Sequence, residues 1–117
     1  SIATAIAEKE EAQALYIGVV EEDSSGYPDC SDMFIEKMKN AINQGTKQST
    51  NIEIQTPLVH LMKSDIVKKS LELNVPLHHT WSCYKEEEEA CGVCDSCRLR
   101  LNGFKQANAI DPIFYKK

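Results

Sequence analysis

Residues 15–20 have the sequence LYIGVV, an apolar run interrupted by a single glycine. Strands covered on both faces of a parallel sheet carry such continuous apolar runs, whereas strands with one wet face alternate apolar and polar residues. The run therefore predicts a strand buried on both faces. Parallel strands are joined by crossover connections that are usually helical, so helical patterns are expected on both sides of it.

The segments next to this run carry helical signals. Residues 1–13 are rich in Ala and Glu and repeat apolar side chains at helical spacing, which predicts a helix. After the polar loop at residues 21–30, Ser31 or Asp32 is placed to cap a second helix, which Gly45 would end. The apolar face predicted for that helix consists of Phe34, Ile35, Met38, Ala41 and Ile42.

A second strand and further helices continue the alternation. Ile52 and Ile54 alternate with polar neighbours before a Thr-Pro pair, which predicts a short strand. A third helix is predicted over residues 64–74, because its pattern ends at an asparagine shortly before a proline. A terminal helix is predicted over residues 95–107. The order helix, strand, helix, strand, helix is typical of an α/β fold with a parallel sheet.

Composition and charge limit the function classes. The chain has 117 residues and a formal charge of −5, the size of one domain or part of one. Its apolar runs are far shorter than the roughly 20 residues of a membrane span, and the first residues do not resemble a secretory signal. Without a block of Lys and Arg, binding to a nucleic-acid backbone is disfavoured. We therefore expect a cytoplasmic protein without nucleic-acid or membrane partners.

Four of the five cysteines are clustered. Cys83, Cys91, Cys94 and Cys97 have the spacing Cys-x7-Cys-x2-Cys-x2-Cys. Thiolates bind Zn²⁺ tetrahedrally, and a Cys-x2-Cys turn presents two sulfurs to one ion, with Gly92 relieving backbone strain in the turn. Four sulfur ligands close the coordination shell, so the pattern predicts one structural zinc ion per chain.

Two other chemistries use similar cysteine patterns. A Cys-x2-Cys pair is also found in redox-active sites, and iron–sulfur clusters also use four cysteines. A ferredoxin run would continue with a Cys-Pro pair, whereas Arg98 and Leu99 follow the last cysteine here. This spacing favours zinc. The acidic run at residues 86–89 is interpreted as a solvated loop tip rather than as a set of ligands.

Two motifs resemble those of the 7-cyano-7-deazaguanine synthases of queuosine biosynthesis: SSGYPDC at residues 24–30, and TWSCY with CGVCDSCRLR between residues 80 and 100. The segments SIATAIAE, LYIGV, TPLVHLMKSDIV and DPIFY agree as well, so the resemblance covers nearly the whole chain. One position departs from the family pattern, because Ser31 stands where the family usually has arginine after SGYPDC.

The resemblance implies a Rossmann-like α/β fold of the PP-loop (adenine nucleotide alpha hydrolase-like) superfamily. It implies a ligase that converts 7-carboxy-7-deazaguanine and ammonia to 7-cyano-7-deazaguanine through adenylated intermediates, with ATP and Mg²⁺, and a homodimer is expected. The family's phosphate loop lies near its N-terminus and has no counterpart here, so the chain is expected to be the C-terminal half. Residues 1–79 would belong to the nucleotide-binding domain, and residues 80–117 would form the zinc module and terminal helix.

The loop after the first strand is the expected substrate site, although the sequence assigns no catalytic residue. A deazaguanine ring presents N–H donors that a carboxylate accepts, and loops at this end of a parallel sheet bind ligands. Asp29 is the first candidate, with helix capping as its alternative role. Tyr27 would stack on the ring or cover the loop. Asp23, Ser25 and Gly26 would supply further polar contacts.

Lys63 is the expected contact to the ATP phosphates, because it begins a helix whose free N–H groups suit an anion. A solvated lysine is the alternative. His60, His78 and His79 have no spacing relation to the cysteines and are interpreted as structural or surface residues. Arg100 is expected to pair with an acidic neighbour.

Two competing functions remain open. One is another PP-loop enzyme, such as a tRNA-thiolating enzyme whose cysteines hold an iron–sulfur cluster. The other is a zinc-binding interaction module without catalysis. Trp81 is expected to pack rather than react, and Cys30 is expected to be a small buried side chain.

Overall fold

The structure, a computed structural model, describes residues 1–22 and 27–117. In this part of the chain, none of the helices combines the length and apolar character needed to cross a bilayer. The chain divides into two compact units, Ser1–His60 and Leu61–Lys117. The predicted boundary after residue 79 concerns functional modules and stays a prediction. The elements are α1 (Ile2–Lys9), β1 (Ala14–Tyr16), α2 (Asp32–Gly45), β2 (Glu53–Gln55), α3 (Lys63–Glu72) and α4 (Asp95–Gln106), with short 3-10 turns at Pro28–Cys30 and Leu77–His79.

The two strands of the first unit pair in parallel, with Leu15 opposite Ile54. This pairing confirms the α/β alternation, but β1 is shorter than the predicted strand over residues 15–20. The expectation of burial on both faces is wrong at Tyr16, which is 75% exposed. Beyond the strand, the N–H of Glu21 donates to the carbonyl of Val59 and continues the contact.

Three helices end in the same left-handed turn. Glu11, Asn74 and Asn108 follow α1, α3 and α4 with φ values of 56°, 55° and 55°. After α1, for example, the N–H of Ala12 donates to the carbonyl of Ala7 at 2.9 Å, the Schellman arrangement that satisfies carbonyls of the last turn. Asparagine tolerates this conformation, and the predicted end of the third helix at Asn74 is confirmed. Glutamate rarely adopts it, so the early end of α1 was not predicted.

Ser31 caps α2. The Phe34 N–H donates to the Ser31 hydroxyl oxygen at 3.1 Å, which decides between the two capping candidates in favour of serine over Asp32. The cap also gives a local role to the residue that departs from the family pattern. The predicted apolar face forms only in part: Ile35 is buried, Met38 and Ile42 are half-buried, and Phe34 and Ala41 are exposed.

In the second unit α3 packs against α4, and Gly103 lies at their contact. A methyl group built on Gly103 would come within 2.7 Å of the Lys63 Cβ. Buried side chains, Val67 from α3 and Phe104 from α4, contribute to the core of this unit. The glycine therefore allows the first turn of α3 to approach the backbone of α4.

We expect Gly103→Ala to destabilise the protein. Overpacking costs about 1–3 kcal/mol, and the better helix propensity of alanine offsets about 1 kcal/mol of that. Gly45→Ala is the matched control, because a methyl group there meets nothing within 4 Å. Urea unfolding of both variants measures the difference. Equal stability of the two variants would contradict the close approach at Gly103.

Candidate metal centre and substrate loop

The four predicted metal ligands come together in the second unit. The Sγ atoms of Cys83, Cys91, Cys94 and Cys97 all lie within 4.8 Å of one another. A tetrahedral ion with Zn–S bonds of about 2.3 Å would place its sulfurs roughly 3.8 Å apart, so only a small contraction is needed. The Cys97 side chain is fully buried, and all four cysteines are free thiols. The donor set therefore fits a closed, structural metal site.

Backbone N–H groups point at three of these sulfurs. The N–H of Cys94 lies 3.3 Å from the Cys91 sulfur, and the N–H of Cys97 lies 3.5 Å from the Cys94 sulfur. The Cys83 sulfur accepts from the N–H groups of Lys85 and Cys91, each at 3.4 Å. Such contacts stabilise thiolates, the form that binds metal. Gly92, between the two cysteines of the turn, has φ of 75°, which confirms its predicted role in relieving strain.

The acidities of the thiols follow from these contacts. The N–H of Cys91 lowers the pKa of Cys83 to about 6, although burial acts in the opposite direction. The N–H of Cys97 likewise lowers the pKa of Cys94 against the effect of burial. Burial raises the pKa of Cys97 to about 12. A bound cation would supply the positive charge that this buried sulfur needs to ionise.

The segment before the first ligand is held by an indole group. The Nε1–H of Trp81 donates to the carbonyls of Cys83 and Glu86, both at 3.1 Å. The Ser96 hydroxyl on α4 donates to the carbonyl of Ser82 at 2.7 Å. Trp81 was predicted only to pack. Its place beside the first ligand in TWSCY was a signal for a role in this loop, but the carbonyls it contacts could not be deduced from the sequence.

Arg100 pairs with an acidic residue, as expected, and the partner is Asp111. The guanidinium donates through Nε and Nη2 to the two carboxylate oxygens at 2.6 and 2.9 Å, and it lies 5.5 Å from the ring centroid of Phe104. Burial opposes ionisation of Asp111, but hydrogen bonds from Arg100, Tyr115 and the N–H of Ile113 outweigh it and lower its pKa. Burial and the neighbouring carboxylate raise the pKa of Tyr115.

The acidic run between the ligands forms the expected loop tip. Glu87, Glu88 and Glu89 are exposed, and Glu86 pairs with Lys116 at 2.7 Å. The cysteine sulfurs form a ligand group without any of these carboxylates in the described part of the chain. Glu87, Glu88 and Glu89 are therefore solvated as predicted, whereas Glu86 is half-buried in an ion pair.

The substrate loop is described only in part, because Asp23, Ser25 and Gly26 lie outside the described residues. Asp29 is exposed in the 3-10 turn that precedes α2. Since Ser31 caps that helix, the alternative capping role of Asp29 is wrong.

The neighbours of Asp29 are half-buried, and the loop adjoins a histidine. Tyr27 and Cys30 are both half-buried, so Cys30 is less buried than expected. The imidazole of His60 lies 3.5 Å from a carboxylate oxygen of Glu21 and 3.8 Å from one of Asp32, the residues on either side of the loop. His60 is thus the surface residue that was predicted, with acidic neighbours that were not.

Lys63 is the first residue of α3, as the phosphate-binding prediction requires. Its side chain is half-buried, and the N-terminus of α3 receives no side-chain cap from Met62. Lys63 belongs to the same compact unit as the four cysteines, Leu61–Lys117. The contact to phosphate itself stays a prediction.

The family model for the queuosine biosynthesis protein QueC matches residues 1–108. The chain belongs to the QueC family. QueC is a PP-loop superfamily domain, so the predicted α/β fold class is confirmed. Curated relatives extend the QueC match over the whole chain. The 7-cyano-7-deazaguanine synthases of Aliarcobacter butzleri, Nautilia profundicola and Campylobacter concisus are 72%, 69% and 69% identical over 117 residues.

These QueC relatives are longer than the chain. The alignments cover 100% of this chain but 51%, 53% and 53% of the three relatives, so the chain spans about half of their length. The matched stretch is their C-terminal half, as the resemblance implied.

Proposed function

We propose that this QueC chain is part of a 7-cyano-7-deazaguanine synthase, a cytoplasmic ligase that acts in queuosine biosynthesis. The observation that carries the proposal is the 72% identity to a protein of that name over all 117 residues. The clustered thiols of the cysteine motif support it. A homodimer and small-molecule substrates, without nucleic-acid or membrane partners, complete the proposal.

The proposed reaction forms a nitrile in two activation steps. The carboxylate of 7-carboxy-7-deazaguanine attacks the α-phosphate of ATP, which releases pyrophosphate and gives an acyl adenylate. Ammonia displaces AMP and forms the amide. The amide oxygen then attacks the α-phosphate of a further ATP and releases pyrophosphate, and loss of AMP and of both amide protons leaves the nitrile. The amide oxygen departs with the AMP, so the second step is a dehydration.

Asp29 is proposed to bind the substrate base. Its carboxylate would accept hydrogen bonds from the ring N1–H and the exocyclic amine, a charge-assisted pair with two donors. The side chain is exposed and does not cap α2, so it is available for this contact. Tyr27 would stack on the ring, and Asp23, Ser25 and Gly26 would add polar contacts.

Lys63 is proposed to contact the phosphates of ATP, which binds with Mg²⁺. Lys63 is the first residue of α3, and both its charge and the positive N-terminal end of the helix dipole favour an anion. Such a group would stabilise the negative charge that develops on the leaving pyrophosphate.

The cysteine site is proposed to hold one structural zinc ion. Its four sulfurs leave no open position for a water or substrate, so the ion would support the fold and take no part in the chemistry. Metal analysis separates this proposal from the iron–sulfur alternative. A colourless protein with one zinc per chain supports it, whereas a brown protein that contains iron contradicts it.

Asp29→Asn tests the substrate site in the full-length protein. A charged hydrogen bond is worth about 1.5–3 kcal/mol, so kcat/KM for 7-carboxy-7-deazaguanine should fall roughly 10- to 100-fold. The matched control is Asp32→Asn, which changes a half-buried carboxylate three residues along the chain. Product formation is followed by mass spectrometry. Equal rates for both variants would contradict the role of Asp29, and a wild type that forms no nitrile would contradict the function itself.

A further inference from the structure

The segment that follows α4 returns to the cysteine site. The N–H of Ala90 donates to the carbonyl of Phe114 and the N–H of Lys116 donates to the carbonyl of Ala90, both at 2.9 Å. These bonds form a β-bridge between Ala90 and Tyr115. Ala90 is completely buried and directly precedes the ligand Cys91. The backbone of this segment, residues 111–116, is therefore joined to the start of the Cys-x2-Cys turn.

A buried carboxylate fixes the same segment to α4. The Asp111 side chain is 3% exposed and accepts two hydrogen bonds from Arg100, which lies on α4 three residues after the ligand Cys97. It also accepts a hydrogen bond from the Tyr115 hydroxyl at 2.6 Å and one from the N–H of Ile113 at 3.3 Å. The Asp111 carboxylate thus joins α4, which carries the ligand Cys97, to residues 111–116, which lie beside the ligand Cys91.

The ring of Tyr115 lies against the turn itself. Its Cδ1 atom is 3.6 Å from the position that a methyl group on Gly92 would occupy, and Gly92 separates Cys91 from the rest of the turn. Ile113 and Tyr115 both pack against the buried cluster of Cys83, Ala90 and Cys97. To open the turn and release an ion, the protein would have to move this ring, which its hydroxyl group holds to Asp111.

We propose that Asp111 and Tyr115 are positioning residues that keep the Cys-x2-Cys turn closed and slow the release of its metal ion. The inference rests on the proposed zinc site and goes beyond it, because neither residue is a ligand. Groups just outside a metal's ligands orient those ligands, and their loss typically reduces metal affinity 10- to 100-fold. The carboxylate acts on the turn through the tyrosine, whereas Arg100 holds the carboxylate in place.

The test measures zinc release from the full-length protein to a chromogenic chelator. Asp111→Asn should release zinc about 10- to 100-fold faster than the wild type, and Tyr115→Phe should release it faster by a smaller factor. Lys116→Ala is the matched control. It removes an exposed ion pair from the same segment, and such pairs contribute little, so its release rate should match the wild type.

Cobalt substitution provides a second measurement that general destabilisation does not change. In the Co²⁺-loaded protein, the ligand-field bands should change in Tyr115→Phe but not in Lys116→Ala, because only the former alters the geometry of the turn. If Asp111→Asn does not fold, the test rests on Tyr115→Phe, which removes only the hydroxyl group that contacts Asp111.

Two outcomes overturn the inference in distinguishable ways. If the wild type holds zinc and Tyr115→Phe releases it at the wild-type rate with unchanged cobalt bands, the two residues only stabilise the fold and the inference alone is wrong. If the wild type holds no metal, the proposed zinc site fails and the inference fails with it. Neither result depends on the synthase activity.

Discussion

Replacement of Cys94 by serine is expected to release the metal ion and to unfold residues 80–107. The serine hydroxyl is a poor substitute for a thiolate, and the remaining three sulfurs leave the coordination shell open. Structural zinc sites in small peptides bind with an apparent free energy of about 10–16 kcal/mol, as large as the stability of a whole domain. Cys94 is also the N-cap of α4, but serine caps helices well, so the expected loss comes from the metal site and not from the cap.

Metal analysis and amide hydrogen exchange measure this effect together. Zinc content should fall well below one ion per chain, and protection should be lost around α4. The control is Cys30→Ser, which removes the half-buried thiol of the other compact unit and should leave the zinc content unchanged. Stoichiometric zinc with unchanged protection in Cys94→Ser would contradict a site with four sulfur ligands.

Arg100→Met is expected to cost about 3–5 kcal/mol of folding free energy at neutral pH. The substitution keeps much of the side-chain length but leaves the Asp111 carboxylate buried without its cation. Removing one partner of a buried pair is costly because the remaining charge has lost both water and its counter-ion. Urea unfolding in the presence of zinc measures the loss. A variant as stable as Lys116→Ala, which breaks only an exposed ion pair, would contradict this explanation.

The pH dependence of the same variant follows from the lowered pKa of Asp111. In the wild type the carboxylate stabilises the fold above its ordinary pKa, and this contribution is lost as the pH falls through the lower pKa of the folded state. Without Arg100 the buried carboxylate is unfavourable when charged, so acidification should reduce the difference between variant and wild type. Acid also releases zinc and so lowers the stability of every variant. The stability of Lys116→Ala is therefore measured at each pH to correct for this effect. A difference that grows as the pH falls would contradict the assignment.

The metal centre was predictable because its information is local. Cys91, Cys94 and Cys97 lie within one turn and the start of one helix, where spacing alone determines which atoms meet. The N-terminus of α2 was predictable for the same reason, since Ser31 caps the helix that immediately follows. Asn74 marked the end of α3 because asparagine tolerates the left-handed conformation that ends the helix better than most residues do.

The contacts around the centre were not predictable in the same way. Arg100 and Asp111 are eleven positions apart, and they meet only because the chain reverses after Asn108. Several acidic residues were equally suitable partners in the sequence. The early end of α1 was missed because Glu11 adopts a conformation unusual for glutamate, and the exposure of Tyr16 was missed because burial depends on elements far from the strand.

The close packing of Gly103 on Lys63 has a consequence for genetics. The helix that begins with Lys63 and the helix that carries Cys97 are in contact through this glycine, so loss of the ion would disturb the lysine proposed to contact ATP. A screen for alleles with a raised KM for ATP should therefore recover substitutions at the cysteines as well as at Lys63. Such alleles would mimic a nucleotide-site defect, and added zinc would partly rescue the milder ones.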